Sequence, residues 1–239
     1  MIRPVSNAAD YTTANRPLRA GLVAHTARVM GAAALLAAAL LAIDGPVARF
    51  CRRFQPDGDL KLGGDLKREM EFIQQFGGVT SLVITGAFIA LLHPANRRRI
   101  RELLFVVLAN ALIVNVFKMT LGRPRPKFGD PHTFTLPWQT YVLPIKGEPQ
   151  ARHAWESWRG ISSDLWSMPS SHTAAAFALA LFLARTYPAS RALVFSLACV
   201  VAVCRVLLGA HYPSDVVVGA ALGYCTAHVV LTLAAPTAR

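Results

Sequence analysis

The stretch VVVGAALGYCTAHVVLTLAA, residues 216–235, decides what kind of fold this chain has. It contains no Asp, Glu, Lys or Arg, and about 20 mostly apolar residues are what a helix needs to cross a bilayer. Five further stretches have a similar apolar character between charged or Gly/Pro-rich boundaries. They are residues 22–43, 73–92, 102–121, 173–187 and 191–210. The sequence therefore predicts an all-α fold, an integral membrane bundle of six transmembrane helices.

The composition agrees with a bilayer as the surroundings. Of 239 residues, 54% are hydrophobic and 16% charged, with 25 Lys and Arg against 13 Asp and Glu, a net charge of +12. A soluble nucleic-acid-binding protein with this charge would be richer in charged residues, and the apolar content excludes disorder. The four cysteines are too few for a disulfide framework and are expected in the core. They are Cys51, Cys199, Cys204 and Cys225.

No repeat or long linker divides the chain, so a single domain over residues 1–239 is expected. Its motif-bearing core covers about 102–235, and residues 22–92 supply two helices and an amphipathic loop. Six spans place both termini on one side, and the Arg-rich loop 97–101 predicts that this side is cytoplasmic. The long loop 122–172, between helices 3 and 4, then lies outside, as in a bacterial inner-membrane protein with a periplasmic site.

Three polar segments emerge at the same predicted membrane face: KMTLGRPRP (118–126), MPSSHTA (168–174) and CRVLLGAHYPSD (204–215). In the first and third, Lys118 and Arg205 lie near the ends of apolar helices, where a cation faces a cavity or partner, or else snorkels to the headgroups. Their inventory suits phosphate chemistry. The four cations are expected to surround a phosphate, with arginines as bidentate donors and lysine as a point charge. They are Lys118, Arg123, Arg125 and Arg205.

The PSSH segment precedes a predicted helix start near Thr173. Free backbone N–H groups and the positive end of the helix dipole make such a start an anion site. Ser170 and Ser171 are therefore candidate phosphate-binding residues. Taken alone, either serine is explained more simply as an N-cap.

His211 and Asp215 are candidate catalytic residues. Asp215 is the only acidic residue after Asp164 and lies four positions beyond His211. A carboxylate hydrogen-bonded to one ring nitrogen would fix the histidine tautomer and leave the other nitrogen as a nucleophile, and an additional N-cap role is compatible with this. His172 would protonate the leaving oxygen. No HExxH motif or carboxylate cluster occurs on this face, so no metal and no cofactor is predicted.

At these residues the sequence resembles the type 2 phosphatidic acid phosphatase superfamily, membrane lipid phosphate phosphatases that share a core with vanadium haloperoxidases. The family pattern is Lys-x6-Arg-Pro, then Pro-Ser-Gly-His, then Ser-Arg-x5-His-x3-Asp. The resemblance implies a six-helix core, no metal, and a phosphohistidine on His211 that Asp215 orients, with His172 as proton donor. It also implies a set of phosphate-binding side chains. They are Lys118, Arg125, Ser170 and Arg205.

The sequence departs from the family pattern at two positions. Ser171 stands where the motif has Gly, and it is expected to narrow the pocket or add a hydroxyl donor to the phosphate. Cys204 stands where the motif has Ser, which removes a stronger hydrogen-bond donor beside Arg205. Neither departure touches the expected nucleophile, its carboxylate or the acid.

The expected function is an integral membrane phosphatase that hydrolyses a lipid phosphate or diphosphate monoester at the non-cytoplasmic face. Candidate substrates are phosphatidic acid, phosphatidylglycerol phosphate, undecaprenyl diphosphate and a lipid A phosphate. One alternative is a lipid phosphotransferase that uses the same phosphohistidine, and another is a non-enzymatic transporter. The expected partners are the substrate lipid and the bilayer, with no nucleic acid, and the oligomeric state is left open.

All four tryptophans fall within the loop 122–172. Because Trp favours the headgroup level, this loop is expected to form a lid or entrance for a lipid tail. Packing inside a small loop subdomain is an equally good interpretation. The four are Trp138, Trp155, Trp158 and Trp166.

Overall fold

The computed structural model describes residues 16–55, 58–60, 63–145, 148–156 and 163–235. In this part of the chain there are seven α-helices and one antiparallel hairpin. The helices are α1 (Arg16–Arg52), α2 (Gly64–Ile73), α3 (Val79–Leu92), α4 (Arg98–Thr120), α5 (Ser171–Thr186), α6 (Arg191–Leu207) and α7 (Pro213–Leu233). The strands are β1 (Tyr141–Ile145) and β2 (Glu148–Arg152). The fold is mostly helical, and the hairpin is a departure from the all-α prediction.

Four helices, namely α1, α4, α6 with its preceding turn, and α7, are long and apolar enough to cross a membrane. A bent pair, Gly64–Gly77 and Val79–Leu92, would be a fifth span if its two arms are counted together. Helix α5 has 16 residues and rises about 24 Å, less than the hydrocarbon thickness of about 30 Å. A helical bundle of membrane-spanning character is therefore present, with four or five spans by length and composition rather than six.

The predicted continuous span 73–92 is broken. A 3-10 turn, Gln74–Gly77, separates α2 from α3, and the two arms meet at 56°. Gly77 passes directly over the first turn of α5, where an added Cβ would overlap the carbonyl oxygen of His172. The pair of glycines thus lets the chain bend against α5 where a side chain would not fit.

Helix α5 is the centre of the bundle and packs against α4, α6 and α7. Its alanines Ala174, Ala176 and Ala180 are completely buried. On α7, Gly219 and Gly223 face α5 so closely that an added Cβ would overlap its backbone oxygens. Small residues at helix contacts allow this approach in membrane proteins. The close packing brings the start of α5 beside the start of α7.

The outer surface of the bundle is apolar, as expected for lipid contact. Large exposed side chains such as Leu91 and Leu112 lie on α3 and α4. Cys199 on α6 is exposed beside Val200 and Val203, so the expectation that every cysteine lies in the core is wrong for this one. The other three cysteines are buried, and all four are free thiols.

Helix α1 is longer than the predicted span 22–43. It continues through Pro46 to Arg52 and takes in the sequence VARFCRR that was expected to lie in an amphipathic loop. The following segment forms α2, as its helical spacing predicted. The extension matters for the site, because it carries Asp44 to the start of α7.

The loop between α4 and α5 packs on its own small core of Leu143, Ala154 and Leu165. Trp166 packs against this core and donates to the Ala154 carbonyl oxygen at 2.7 Å. Trp155 donates to the Pro137 carbonyl oxygen at 2.9 Å, whereas Trp138 is 73% exposed. Packing thus accounts for Trp155 and Trp166, Trp138 is free to contact a lipid surface, and Trp158 lies outside the described residues.

Candidate active site

Three chain segments meet at one end of the bundle. The turn after α4 is tied to the approach to α5 by hydrogen bonds from Arg123 N to Leu165 O (2.8 Å) and from Ser167 N to Arg123 O (3.1 Å). The approach to α5 is tied to α7 by a bond from Ser170 N to Asp215 O (3.1 Å). The structure therefore brings together the three segments in which the candidate site residues were found.

His211 is buried just before α7. Its Nδ1 lies 2.7 Å from the Ser167 carbonyl oxygen and 3.6 Å from Asp215 Oδ2. A carbonyl oxygen only accepts hydrogen bonds, so Nδ1 carries the proton and Nε2 keeps its lone pair. The expected direct hydrogen bond from His211 to Asp215 is replaced by one to Ser167, and the carboxylate is instead the adjacent ion partner.

Burial lowers the pKa of His211 to about 3, an effect that the nearby Asp215 carboxylate opposes and Arg205 and Arg125 reinforce. The imidazole is therefore neutral at physiological pH. A neutral ring whose Nδ1 proton is fixed by an acceptor is the form that a nucleophilic nitrogen requires.

Asp215 is fully buried, and several donors hold its two oxygens. Oδ2 accepts from Ser167 Oγ at 2.5 Å and from Tyr212 N at 2.8 Å, while Oδ1 accepts from the Arg123 guanidinium. The bond from Tyr212 N is a helix-capping interaction at the start of α7, as the sequence allowed. Asp215 is too occupied by these donors to approach His211 more closely.

Arg123 does not join the phosphate-binding cations, contrary to the sequence expectation. Its buried guanidinium donates to Asp215, to Ser214 Oγ at 2.8 Å and to Asp44 Oδ2 at 2.6 Å. It also stacks over the Tyr212 ring at 4.3 Å. Two carboxylates neutralise this arginine, so it orders the carboxylate beside His211.

Asp44 is the functional-site residue that the sequence reasoning missed. It is fully buried in α1, where Oδ1 accepts from Ser214 N at 3.1 Å and Oδ2 accepts from Ser214 Oγ and Arg123. The available signal was a lone carboxylate directly after an apolar run, which is costly in a membrane unless it is paired. Its partner Arg123 lies 79 residues away, so no local pattern reveals the pair.

Lys118, Arg125 and Arg205 form the cation cluster of the site. Lys118 is only 5% exposed, and its charge interacts with those of Arg125, Arg205 and Asp215. Burial lowers the pKa of Arg125, and Asp164 and Asp215 oppose this shift. His172 lies within electrostatic range of all three cations. An incoming phosphate dianion would relieve the repulsion among them.

Arg205 is positioned by the N-terminal half of the chain. Its Nη1 donates to Gln74 Oε1 in the 3-10 turn, and its Nε is buried without a hydrogen-bond partner among the described residues. The Arg205 carbonyl oxygen accepts from His211 N at 3.2 Å, through a turn in which Gly209 has a φ of +65°. Arg205 thereby fixes the loop that carries His211 and retains a donor for an anion.

The two serines have different surroundings. Ser170 is buried, and its Oγ caps α5 by accepting from Thr173 Oγ1 at 3.0 Å and Thr173 N at 3.5 Å. Ser171 and His172 instead line a groove of about 480 Å³ between α3, α4 and α5. The simpler N-cap interpretation therefore describes Ser170, and Ser171 stands where the polar site meets this groove. In the described part of the chain, no three His, Cys, Asp or Glu side chains converge as a metal site would require.

A sequence model of a protein family, described as the PAP2 superfamily, matches residues 99–237. The chain belongs to the PAP2 superfamily. The match begins at the start of α4 and includes all eight candidate site residues, so the family resemblance inferred from the motifs is confirmed. The chain is also similar to a lipid A 1-phosphatase from Rhizobium johnstonii, with 32% identity over 185 residues that cover 70% of this chain and 68% of the relative.

Two solved structures of PAP2 type proteins or their relatives resemble this fold. The transmembrane PAP2 type phosphatidylglycerolphosphate phosphatase from Bacillus subtilis has a TM-score of 0.57 and 20% identity, over 87% of this chain and 94% of that one. Aquifex aeolicus LpxE has a TM-score of 0.48 and 19% identity, over 71% and 87% of the two chains. The similarity to the first shows that the shared fold extends beyond the matched PAP2 region into the N-terminal helices.

Both departures from the PAP2 motif can be placed in the structure. Ser171 begins α5 on the groove side, so its hydroxyl stands at the boundary between the cation cluster and the apolar lining. Cys204 is buried in α6 directly before Arg205. Burial raises the pKa of free thiols generally, and a neutral thiol at this position leaves the positive charge of Arg205 available to an anion.

Proposed function

We propose that this PAP2 protein is an integral membrane phosphatase that hydrolyses a lipid phosphate or diphosphate monoester through a phosphohistidine on His211, without a metal. The observation that carries the proposal is the state of His211: buried, neutral, and fixed by the Ser167 carbonyl as the Nδ1–H tautomer. The cation cluster of Lys118, Arg125 and Arg205 supplies the charge that would hold the phosphate.

In the first proposed step, Nε2 of His211 attacks phosphorus while the bond to the lipid oxygen breaks. His172 gives its proton to that oxygen, so the lipid leaves as an alcohol, or as a monophosphate if the substrate is a diphosphate. In the second step, a water molecule gives a proton to His172 and attacks phosphorus, and the bond from Nε2 breaks. Inorganic phosphate leaves, and Asp215 stabilises the positive ring of His211 in between.

The groove beside His172 supports a lipid substrate rather than a soluble phosphate ester. It continues from Ser171 and His172 along apolar side chains such as Leu103, Val106 and Leu179. An acyl chain in this groove would lie inside the bilayer thickness while its phosphate stays among the cations. A volume of about 480 Å³ falls within the usual range for ligand sites.

The proposed substrate is a bacterial membrane lipid phosphate, hydrolysed at the non-cytoplasmic face of the inner membrane. The Arg-rich segment 97–101 before α4 favours cytoplasmic termini, with α5 and the bent pair completing six crossings. The lipid A 1-phosphatase relative makes a lipid A phosphate the first candidate. Phosphatidic acid, phosphatidylglycerol phosphate and undecaprenyl diphosphate complete the set to be compared.

The test is phosphate release by the purified protein in detergent or nanodiscs, across these four lipids and with EDTA present. At least one lipid should release phosphate, His211→Ala should abolish release, and vanadate should inhibit it as a transition-state mimic. His93→Ala is the matched control, because this histidine is exposed and follows α3 at the end of the bundle away from the site. Full activity of His211→Ala would refute the phosphohistidine.

The phosphotransferase alternative is separated from hydrolysis by analysing the products. Candidate lipid and sugar acceptors are added in excess, and the fate of the phosphate is followed by a radioactive label. Label recovered only as inorganic phosphate supports the phosphatase, whereas label on an acceptor supports the transferase. No release and no transfer from any lipid would refute both enzymatic proposals and favour a transporter.

A further inference from the structure

Asn110 is a buried amide in the middle of the apolar helix α4. Its side chain is 5% exposed, and Oδ1 is buried with no hydrogen-bond partner among the residues that the structure describes. A buried polar group without a partner is costly, and the cost is greater in hydrocarbon, where water does not compete. Such a group is best explained by a ligand that supplies the missing hydrogen bond.

The surroundings of Asn110 define where that ligand lies. Asn110 lines the same groove as His172, and the side chains nearest to it along α4 are the apolar Val106, Val107 and Val114. Asn110 precedes Lys118 by eight residues on one helix, which corresponds to about 12 Å along the axis. A lipid whose phosphate lies beside Lys118 and whose chain follows the groove would therefore pass Asn110 shortly after its headgroup.

We propose that Asn110 binds a hydroxyl group on the acyl chain of the substrate, so that the enzyme selects lipid phosphates with hydroxylated chains. The inference rests on the proposed function. Oδ1 needs a donor, and the ester oxygens of an ordinary diacyl lipid only accept hydrogen bonds. A hydroxyl both donates and accepts, so it satisfies either end of the amide, and an unsubstituted chain leaves Oδ1 unpaired.

Asn115 lines the same groove but does not share this requirement. It lies five residues closer to the end of α4 and is exposed, so its amide is not isolated in an apolar environment. Asn115 therefore offers the same side chain on the same helix as a matched control. The contrast between the two asparagines separates recognition at one buried point from a general polarity of the groove.

The experiment compares two synthetic lipid phosphates that are identical except for a hydroxyl on the acyl chain close to the headgroup. With wild-type protein, kcat/KM should be about tenfold higher for the hydroxylated lipid, because one buried hydrogen bond is gained. A third lipid, with the hydroxyl at the far end of the chain, should behave like the unsubstituted one. Asn110→Leu should bring the ratio of the first two to about one, and Asn115→Leu should keep it near ten.

The outcomes distinguish this proposal from the one on which it rests. Equal kcat/KM for the hydroxylated and plain lipids in wild-type protein would overturn the role of Asn110 and leave the phosphatase intact, whether or not any variant folds. Loss of the preference in Asn115→Leu, with Asn110→Leu unchanged, would also overturn it. Absence of phosphate release from all the lipids tested would instead refute the proposed function itself.

Discussion

Replacing Asp44 by asparagine tests whether α1 supports the catalytic carboxylate. The carboxylate accepts from Arg123 at 2.6 Å and from Ser214 N at 3.1 Å, and it is fully buried. Asparagine keeps the shape and one acceptor but turns an N–H donor toward Arg123 or Ser214. Breaking a buried ion pair costs about 3–5 kcal/mol, and Arg123 keeps Asp215, so we expect a loss near the lower limit of about 3 kcal/mol.

The same change should lower activity in a particular way. Arg123 holds Asp215, and Asp215 lies 3.6 Å from the Nδ1 atom of His211, so a displaced guanidinium disturbs the nucleophile rather than the phosphate-binding cations. We expect kcat to fall about tenfold, equivalent to about 1.4 kcal/mol in the barrier, with KM nearly unchanged. The measurements are thermal unfolding by circular dichroism in one detergent and steady-state kinetics on the lipid with the highest activity.

Asp59→Asn is the matched control for Asp44→Asn. Asp59 pairs with Arg53 at 2.9 Å, but both side chains are largely exposed, so the pair should contribute nothing measurable to stability. If Asp44→Asn unfolded and turned over as the wild type and the control do, the ion pair across α1 would have no role. A loss of stability with unchanged kcat would confine Asp44 to folding and contradict its coupling to His211.

Three further predictions concern the site itself. Ser167→Ala removes the 2.5 Å hydrogen bond to Asp215 but keeps the carbonyl that accepts from His211, so kcat should fall about tenfold while His211→Ala abolishes turnover, and equal losses would contradict this division. Because the pKa of His211 is about 3 in the folded protein and near 6.5 when unfolded, the unfolded state binds more protons in between, and stability should fall by about 2 kcal/mol from pH 6.5 to 5. His211→Gln should flatten that slope in thermal unfolding at several pH values, and an unchanged slope would exclude His211 as its source. Arg125→Ala should weaken substrate and vanadate binding together, measured as KM and the inhibition constant, and a variant that spares both would not belong to a phosphate-binding cluster.

Much of the site was accessible from spacing alone. His211 and Asp215 lie one helical turn apart at the start of a helix, so their neighbourhood is a local property of the sequence. Parity of the predicted spans then placed the segments of Lys118, His172 and Arg205 at one face. The roles of these residues stay predictions, but their convergence follows from helix lengths and connection order.

The contribution of Ser167 could not be read from the sequence. Its part is made by a backbone carbonyl, which every residue possesses, and by a hydroxyl that touches Asp215 across 48 positions. Likewise, the groove with Asn110 exists only because α3, α4 and α5 leave space between them beyond the bend at Gly77. Contacts of this kind depend on which helices pack side by side.

The sequence by itself determined that this is a helical membrane protein of the PAP2 superfamily, because apolar length and motif spacing are both properties of short segments. Only the tertiary structure separated Arg123 from Arg125, two arginines in one turn with the same charge. Arg123 is neutralised by Asp44 and Asp215, whereas Arg125 belongs to the cation cluster. The physical reason is that burial and pairing fix what a charge does, and both are set by residues far apart in the chain.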